Sequence, residues 1–459
     1  MTLTEILATL AIETPDAALG AEADNATRLL ILDSLGTAIA GMRAPGVPEA
    51  VRVARLWGGT PEAPVWGYGA RLPAPQAAFA NSVMVHAMDY DDVHRGTALH
   101  QMSSLFPAVM ALAEMRNLSG RAVMSAVALG VEVSARIAIA ATARRVPDGY
   151  LPATTAGIFG TTAACCRCLG LDVTQTANAL GIAYAQCSGN RQALLDHSLT
   201  KRLQPALAAR SALWAASLAE QGVTGPLRAL EGDAGFFPLY VRSSPPDAAE
   251  ISAAGPYWQV MREWIKPYPS CGATHTSTHA AIGLAIAEDL QPEEIAEVHL
   301  DLGHSDNWFV GHPWRLGSDP QVDAQFSVRY AVALGLLRRR AGLSEYDPQR
   351  IVSDADVSDL AGRIQIHEIP GTEGIRTENL EVRVTVITRS GRALSHTGSW
   401  GQPMGRERVI AKFHECAAFS RICSATQADV IIALADHLED LPRVAELVGA
   451  LPQITEIRP

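Results

Sequence analysis

Up to about residue 240 the chain has no alternating polar–apolar stretch of any length; its apolar positions recur at helical spacing instead. Each run meets a stop. The run from Ala26 ends at Gly41, a fit C-cap, Pro48 to Leu56 is closed by Gly58-Gly59, and Gly170, Gly181 and Gly222 punctuate the later runs. Helices are predicted over 1–13, 26–41, 48–56, 73–88, 104–116, 120–142, 155–169, 174–187 and 205–221, with Asp172 marking a helix start. Alanine and leucine dominate these runs, and small residues allow close helix packing. Such a stretch must bury helix against helix.

The character changes between 240 and 265. Ser243-Ser-Pro-Pro-Asp reads as a polar linker, and Trp264-Ile-Lys-Pro-Tyr-Pro-Ser-Cys is held extended by its prolines. After a helix near 276–289 come strand patterns: Ala296 to Leu302, Arg363 to Ile369, Leu380 to Thr388 and Ala393 to Trp400. The third places Glu381, Arg383 and Thr385 on one face and Leu380, Val382, Val384 and Val386 on the other, and Arg389-Ser-Gly-Arg turns the chain into the last. Helices near 325–339 and 345–351 would cover this sheet, and the tail from 405 returns to helix. A length of 459 residues exceeds what one core supports. The expected fold is therefore mainly α: a large all-helical domain over 1–260 with 402–459, plus a smaller α+β lid domain over 261–401.

Composition excludes several classes. At 48% hydrophobic and 19% charged the chain is globular, and a net charge of −11 argues against nucleic acid or an anionic membrane as partner. It leaves a small anionic substrate open, because a site can be locally basic. Met1-Thr-Leu-Thr-Glu-Ile lacks the basic start of a signal peptide, and no apolar run is expected to span a bilayer; the most apolar, Ala126 to Thr142, carries Glu132 and Arg136. Of the 7 cysteines, Cys165, Cys166 and Cys168 share one helical stretch where bridging is geometrically poor. Reduced thiols and a cytoplasmic location are expected.

The densest acid–base chemistry is in Asn81 to His100, where Asp89, Asp91 and Asp92 lie among His86, His94 and His100. A core helix cannot bury that mixture unpaired. Asp89 could orient a neighbouring His or Lys or serve as a base; the bland alternative is a helix-end carboxylate satisfied by backbone or Arg. Asp91 and Asp92 read as loop caps or partners of basic residues. His100 lies on a loop, and an unperturbed imidazole titrates near neutrality, so it could move a proton. His86, mid-helix, reads as a satisfied core histidine. Lys201, ahead of the 205–221 helix, and Lys266 could each clamp a carboxylate. Cys271 is either a second acid–base group or a small buried residue. His275 and His279 have zinc spacing, but no carboxylate completes a set locally, so no metal is expected.

His86-Ala-Met-Asp-Tyr-Asp-Asp resembles the signature of the MmgE/PrpD family. Leu32-Asp-Ser-Leu-Gly, Gly157-Ile-Phe-Gly-Thr-Thr-Ala-Ala, Thr200-Lys-Arg-Leu-Gln, Leu230-Glu-Gly-Asp-Ala-Gly-Phe, Lys266-Pro-Tyr-Pro-Ser-Cys and Asp323-Ala-Gln-Phe-Ser-Val-Arg-Tyr match it in order. The resemblance implies a homodimer with its site in a cleft between two domains, acting without metal or organic cofactor on a small di- or tricarboxylate. Members include 2-methylcitrate dehydratase, cis-aconitate decarboxylase and iminodisuccinate epimerase. The decarboxylase pattern of Asp, His, His, Lys, His carries over onto Asp89, His100, Leu151, Lys201 and Cys271. Two of its imidazoles are thus replaced, and Gln204 stands where a third is common. Catalysis is assigned to Asp89, His100, Lys201 and Cys271, and substrate binding to Lys266, Gln204, Tyr150, Leu151 and Thr97.

A proton next to a carboxylate is poorly acidic. Removing it needs a placed base and cations to hold the developing charge. His100 oriented by Asp89, with Lys201 and Lys266 on the carboxylates, meets that need. The expected activity is a cofactor-independent lyase, first a dehydratase of a small hydroxy di- or tricarboxylate. A two-base epimerase using Cys271 or Tyr150, a cis-aconitate-type decarboxylase and a non-catalytic carboxylate-binding protein stay open.

Overall fold

A computed structural model describes residues 1–146, 149–253, 255, 257–373, 380–399 and 403–454. Helices follow one another as α1 (Leu3–Glu13), α2 (Gly20–Gly41), α3 (Val47–Trp57), α4 (Ala74–His86), α5 (Met102–Arg116), α6 (Gly120–Ala143), α7 (Pro152–Thr155), α8 (Gly157–Leu169), α9 (Val173–Tyr184), α10 (Gln192–Leu195), α11 (Thr200–Glu220) and α12 (Ala248–Ser252). They continue as α13 (Gly272–Ala287), α14 (His304–Val310), α15 (Pro320–Gln325), α16 (Val328–Arg338), α17 (Pro348–Ser353), α18 (Ala355–Arg363), α19 (Arg406–Ser420), α20 (Ala425–Asp436) and α21 (Ala445–Gly449). The strands are β1 (Ala63–Val65), β2 (Ala70–Leu72), β3 (Val93–His94), β4 (Glu263–Trp264), β5 (Ile295–Leu302), β6 (Gln365–Glu368), β7 (Val382–Thr388) and β8 (Ala393–Gly398). The fold is mainly α. It divides into a helical unit, Met1–Arg191 with Thr200–Ile265 and Met404–Pro459, and a second unit, Gln192–Leu199 with Lys266–Pro403.

In the helical unit α6 packs on α8, α4 on α5 and α11, and α2 on α19. The α6–α8 crossing has no room for a side chain. A Cβ on Gly160 would stand 1.9 Å from Ser134 Oγ and 2.1 Å from the Gly130 carbonyl. Helix α5 carries Pro107, which cannot donate to the Ser103 carbonyl one turn back. Ser82 of α4 donates its hydroxyl to that carbonyl instead, at 2.6 Å, and ties the two helices together. Contrary to the sequence expectation, α6 is long and apolar enough to cross a membrane, yet 89% of its apolar window is buried inside the protein. Its charges are buried with it: Arg136 donates to Glu132 at 2.8 Å and to the carbonyls of Ile251 and Ser252.

The C-terminal helices close back onto this unit through a charge. Lys412 of α19 lies 2.7 Å from Asp33 of α2, donates to the Tyr90 carbonyl at 2.7 Å, and stands 3.7 Å over the Tyr90 ring. Lys412 and Asp33 are both buried.

The second unit holds a sheet ordered β6-β5-β7-β8, parallel between β5 and β6 and antiparallel elsewhere. Pairing Val298 with Val386 and Leu300 with Val384 sets their side chains on one buried face, covered by α13 and the helices packed on it. Residues 192–199 join this unit, where His197 Nδ1 meets Asp323 Oδ1 at 2.9 Å.

Several elements carry no sequence signal. The β1–β2 hairpin and the β3–β4 pair are too short for alternation to register. Helix α11 begins at Thr200 rather than 205, because Pro205, a usual helix start, lies inside it. Lys201 and Gln204 are therefore helical. Helix α13 begins at Gly272, which makes Cys271 its N-cap. Trp400, expected in the last strand, lies outside the described residues.

Breaking the Asp33–Lys412 pair leaves a buried charge alone. Lys412→Met is expected to lower stability by about 3–5 kcal/mol in chemical denaturation, with Asp33→Leu/Lys412→Met recovering much of it. A single variant as stable as the parent would show that this contact does not hold α19 to α2.

Candidate active site

Helix α4 ends at His86, and the chain turns at Asp89, whose φ of +50° is left-handed. Aspartate tolerates that region better than most residues. The Asp89 carboxylate forms an ion pair with Lys201 in the first turn of α11. Both groups are buried, so each supplies a counter-charge to the other.

The next two carboxylates are buried differently. Asp91 accepts from His86 Nδ1 at 2.8 Å and lies 3.9 Å from His100 Nδ1. His86 is buried, and its pKa is lowered: burial is the main cause, Lys201 adds to it, and Asp91 opposes it. Asp92 accepts from the backbone N–H groups of Gln101 and Met102 at 3.2 and 3.1 Å, capping the start of α5. Its other neighbour is Glu263, brought there when β3 pairs with β4. Both oxygens of the Glu263 carboxyl are buried. Burial, with the neighbouring Asp91 charge, pushes Asp92 up to about 7, and burial with the facing Asp92 carboxylate raises Glu263 well above its usual range. Asp92 has two backbone donors, whereas both Glu263 oxygens are buried without a hydrogen-bond donor among the described residues, so Glu263 is the carboxyl that stays protonated.

His100 follows on the loop. Its Nδ1 is 2.7 Å from the Asp92 carbonyl oxygen. A carbonyl can only accept, so Nδ1 carries a hydrogen. In the neutral ring Nε2 is then the basic nitrogen. The ring is part-exposed, unlike His86. The sequence leaves Asp89 to orient a neighbouring His or Lys. The structure pairs it with Lys201 and also sets Asp91 beside the His100 ring.

Several assigned residues make local contacts. The Thr97 hydroxyl is 3.0 Å from His94 Nδ1, and His94 Nε2 is 3.2 Å from Gln259. Gln204 accepts from the Asn190 N–H at 2.8 Å and donates to the Asn190 carbonyl at 2.9 Å. Tyr150 pairs with Asn190 through a backbone bridge, its ring 5.3 Å from that of Tyr240. Leu151 is the N-cap of α7, its carbonyl accepting from the Thr154 and Thr155 hydroxyls.

In the second unit Lys266 is buried, and Cys271 is part-exposed at the start of α13, its N–H donating to the Gln325 carbonyl. His275 donates from Nε2 to the Ser270 carbonyl at 3.1 Å, while exposed His279 meets the Tyr268 hydroxyl at 3.4 Å. Among the described residues no three ligand-type side chains are arranged to hold a metal ion. Glu263 escapes sequence reasoning, since only the two-residue β3–β4 pairing reveals it.

Residues 3–249 match the MmgE/PrpD N-terminal domain, and residues 268–440 match the MmgE/PrpD C-terminal domain. The chain belongs to the MmgE/PrpD family. Among its curated relatives is a cis-aconitate decarboxylase of Mus musculus, 27% identical over 443 residues, covering 93% of this chain and 88% of the relative. One of Homo sapiens is 26% identical over 93% of this chain and 89% of its own length. One of Aspergillus terreus is 26% identical over 92% of this chain and 91% of its own. In this MmgE/PrpD chain the family's Asp–His signature is thus the segment whose carboxylates are buried against Lys201, His86, α5 and Glu263.

The Asp92–Glu263 pair makes stability depend on pH. Both carboxyls have folded pKa values above their unfolded ones, so their contribution is full below the ordinary carboxyl range and falls as pH rises above it, that of Asp92 being lost as pH rises through about 7. Denaturation midpoints should fall between about pH 5 and about pH 8. Glu263→Gln, which removes one of the two ionising groups, should flatten that fall. An equal slope in both proteins would contradict the raised Glu263 pKa.

Proposed function

We propose that this protein is a lyase of the MmgE/PrpD type. Its substrate is a small di- or tricarboxylate, and proton transfer occurs at a carbon next to a carboxylate. The observation that carries the reading is the placement of His100. Its Nδ1 is committed to a backbone carbonyl, so Nε2 is the nitrogen that takes or gives the proton. Lys201 supports it. It places a cation, paired with Asp89, against the segment that carries His100, and a cation there suits a substrate carboxylate. Charge developing next to the reacting carbon would be held by that cation in a buried setting.

The first reading is dehydration of a hydroxy acid: His100 removes the proton, the β-hydroxyl leaves, and a C=C bond forms. The relatives named cis-aconitate decarboxylase favour a second reading. There a C–C bond to a carboxylate breaks, CO2 leaves, and His100 protonates the carbon. Lys266 and Cys271 enter either scheme through the resemblance: the lysine as a second carboxylate clamp, the thiol as a second proton-transfer group. The proposed assembly is a homodimer.

The test is a panel of cis-aconitate, citrate, 2-methylcitrate and simpler hydroxydicarboxylates, with products followed by NMR. Water loss selects the dehydratase and CO2 loss the decarboxylase. Isotope exchange without either marks the epimerase. His100→Gln should lower kcat/KM by about 10²–10⁴-fold. Tight binding of an acid that is never converted, unchanged by that substitution, would make the protein a carboxylate-binding protein instead.

A further inference from the structure

Proton transfer by His100 and carboxylate binding by Lys201 with Asp89 give Asp91 no task, although Asp91 is fully buried among them. It lies between two imidazoles, 2.8 Å from His86 Nδ1 and 3.9 Å from His100 Nδ1, and the rings stand edge to face with centroids 5.7 Å apart. The rings differ in environment. His86 is buried, which disfavours its charged form, and the Lys201 cation adds to that. A neutral His86 still donates from Nδ1 and fixes the Asp91 carboxylate in place without neutralising it. The negative charge of Asp91 then acts on the part-exposed ring of His100.

We infer that Asp91, held by His86, is the positioning residue that keeps a proton on His100 Nδ1 and stabilises the His100 imidazolium. Two acceptors converge on that nitrogen from one short segment, the Asp92 carbonyl at 2.7 Å and the Asp91 carboxylate behind it. Proton exchange therefore runs through Nε2 alone, and Nδ1 keeps its hydrogen throughout the cycle. The other ionisable groups around the segment are engaged elsewhere. Asp89 is paired with Lys201 from α11, and Asp92 accepts from the backbone at the start of α5 and faces Glu263 from β4. His94 is engaged by Thr97 and Gln259. The Asp91 carboxylate reaches to 3.9 Å from the His100 ring nitrogen.

The role rests on His100 as the proton-transfer group, so the experiment reads the ring directly as well as through turnover. Nitrogen NMR of the full-length protein with labelled histidines, assigned with His100→Gln, reports the tautomer and the titration midpoint of His100. In the parent the neutral ring should carry its hydrogen on Nδ1. In Asp91→Asn, which still accepts from His86 but has no charge, the midpoint of His100 should fall by about one pH unit. The pH–rate profile of turnover should move down with it. A merely structural Asp91 would lower stability and leave that midpoint where it was. A neutral His100 with its hydrogen on Nε2 in the parent, which needs no variant to fold, would overturn the inference. So would an unmoved midpoint in folded Asp91→Asn. If the midpoint falls but His100→Gln retains full turnover, the charge coupling stands and the assignment of His100 to catalysis fails.

Discussion

Three carboxylates fall within residues 89–92, and all three are buried. An uncompensated buried charge costs several kcal/mol, so each needs its own solution. Asp89 takes a cation, Lys201, from a helix 112 residues away in sequence. Asp91 takes a ring N–H from His86. Asp92 takes the backbone donors at the start of α5, beside a Glu263 whose pKa is raised. Much of the helical unit is arranged to deliver those partners. Helix α11 must lie on α4, β4 must pair with β3, and α5 must begin where Asp92 can cap it.

The same logic extends outward. Tyr90, between the first two of these aspartates, is held by Lys412, whose charge is met by Asp33. The C-terminal helix α19 is thus bound to the segment that carries the chemistry, and the backbone around Asp89 is fixed from both sides. That rigidity sustains a left-handed aspartate at position 89. Strained backbone persists where the surroundings over-determine it, and it clusters at functional sites.

The helical character and the later sheet are legible in the sequence because periodicity is local: Val382, Val384 and Val386 announce their face without help. The importance of 81–100 is legible from density alone. The pairing within it is not. His86 as a core histidine can be read from its apolar neighbours. That Asp91 lies beside His100 while Asp89 meets Lys201 depends on the turn at 87–89, which sequence spacing does not encode. Lys201 reads as preceding its helix because Pro205 is a usual first-turn residue, and here α11 starts one turn earlier. Glu263 is invisible because a two-residue strand leaves no pattern. Gln204 and Thr97, assigned to substrate, make local hydrogen bonds to Asn190 and His94 that only coordinates reveal.

Together these features describe one half of an acid–base site. It has a ring with a fixed proton on one nitrogen and a basic position on the other, a buried cation nearby, and carboxylates whose charges are each accounted for. Its central claim is that His100 moves a proton at a carbon next to a carboxylate. Deuterium wash-in is the most direct measure of that step, because it needs no net conversion. With any acid from the panel that binds, the parent in D2O should place deuterium at that carbon, and His100→Gln should abolish the exchange while the acid still binds. Exchange at an equal rate in the two proteins would contradict the claim.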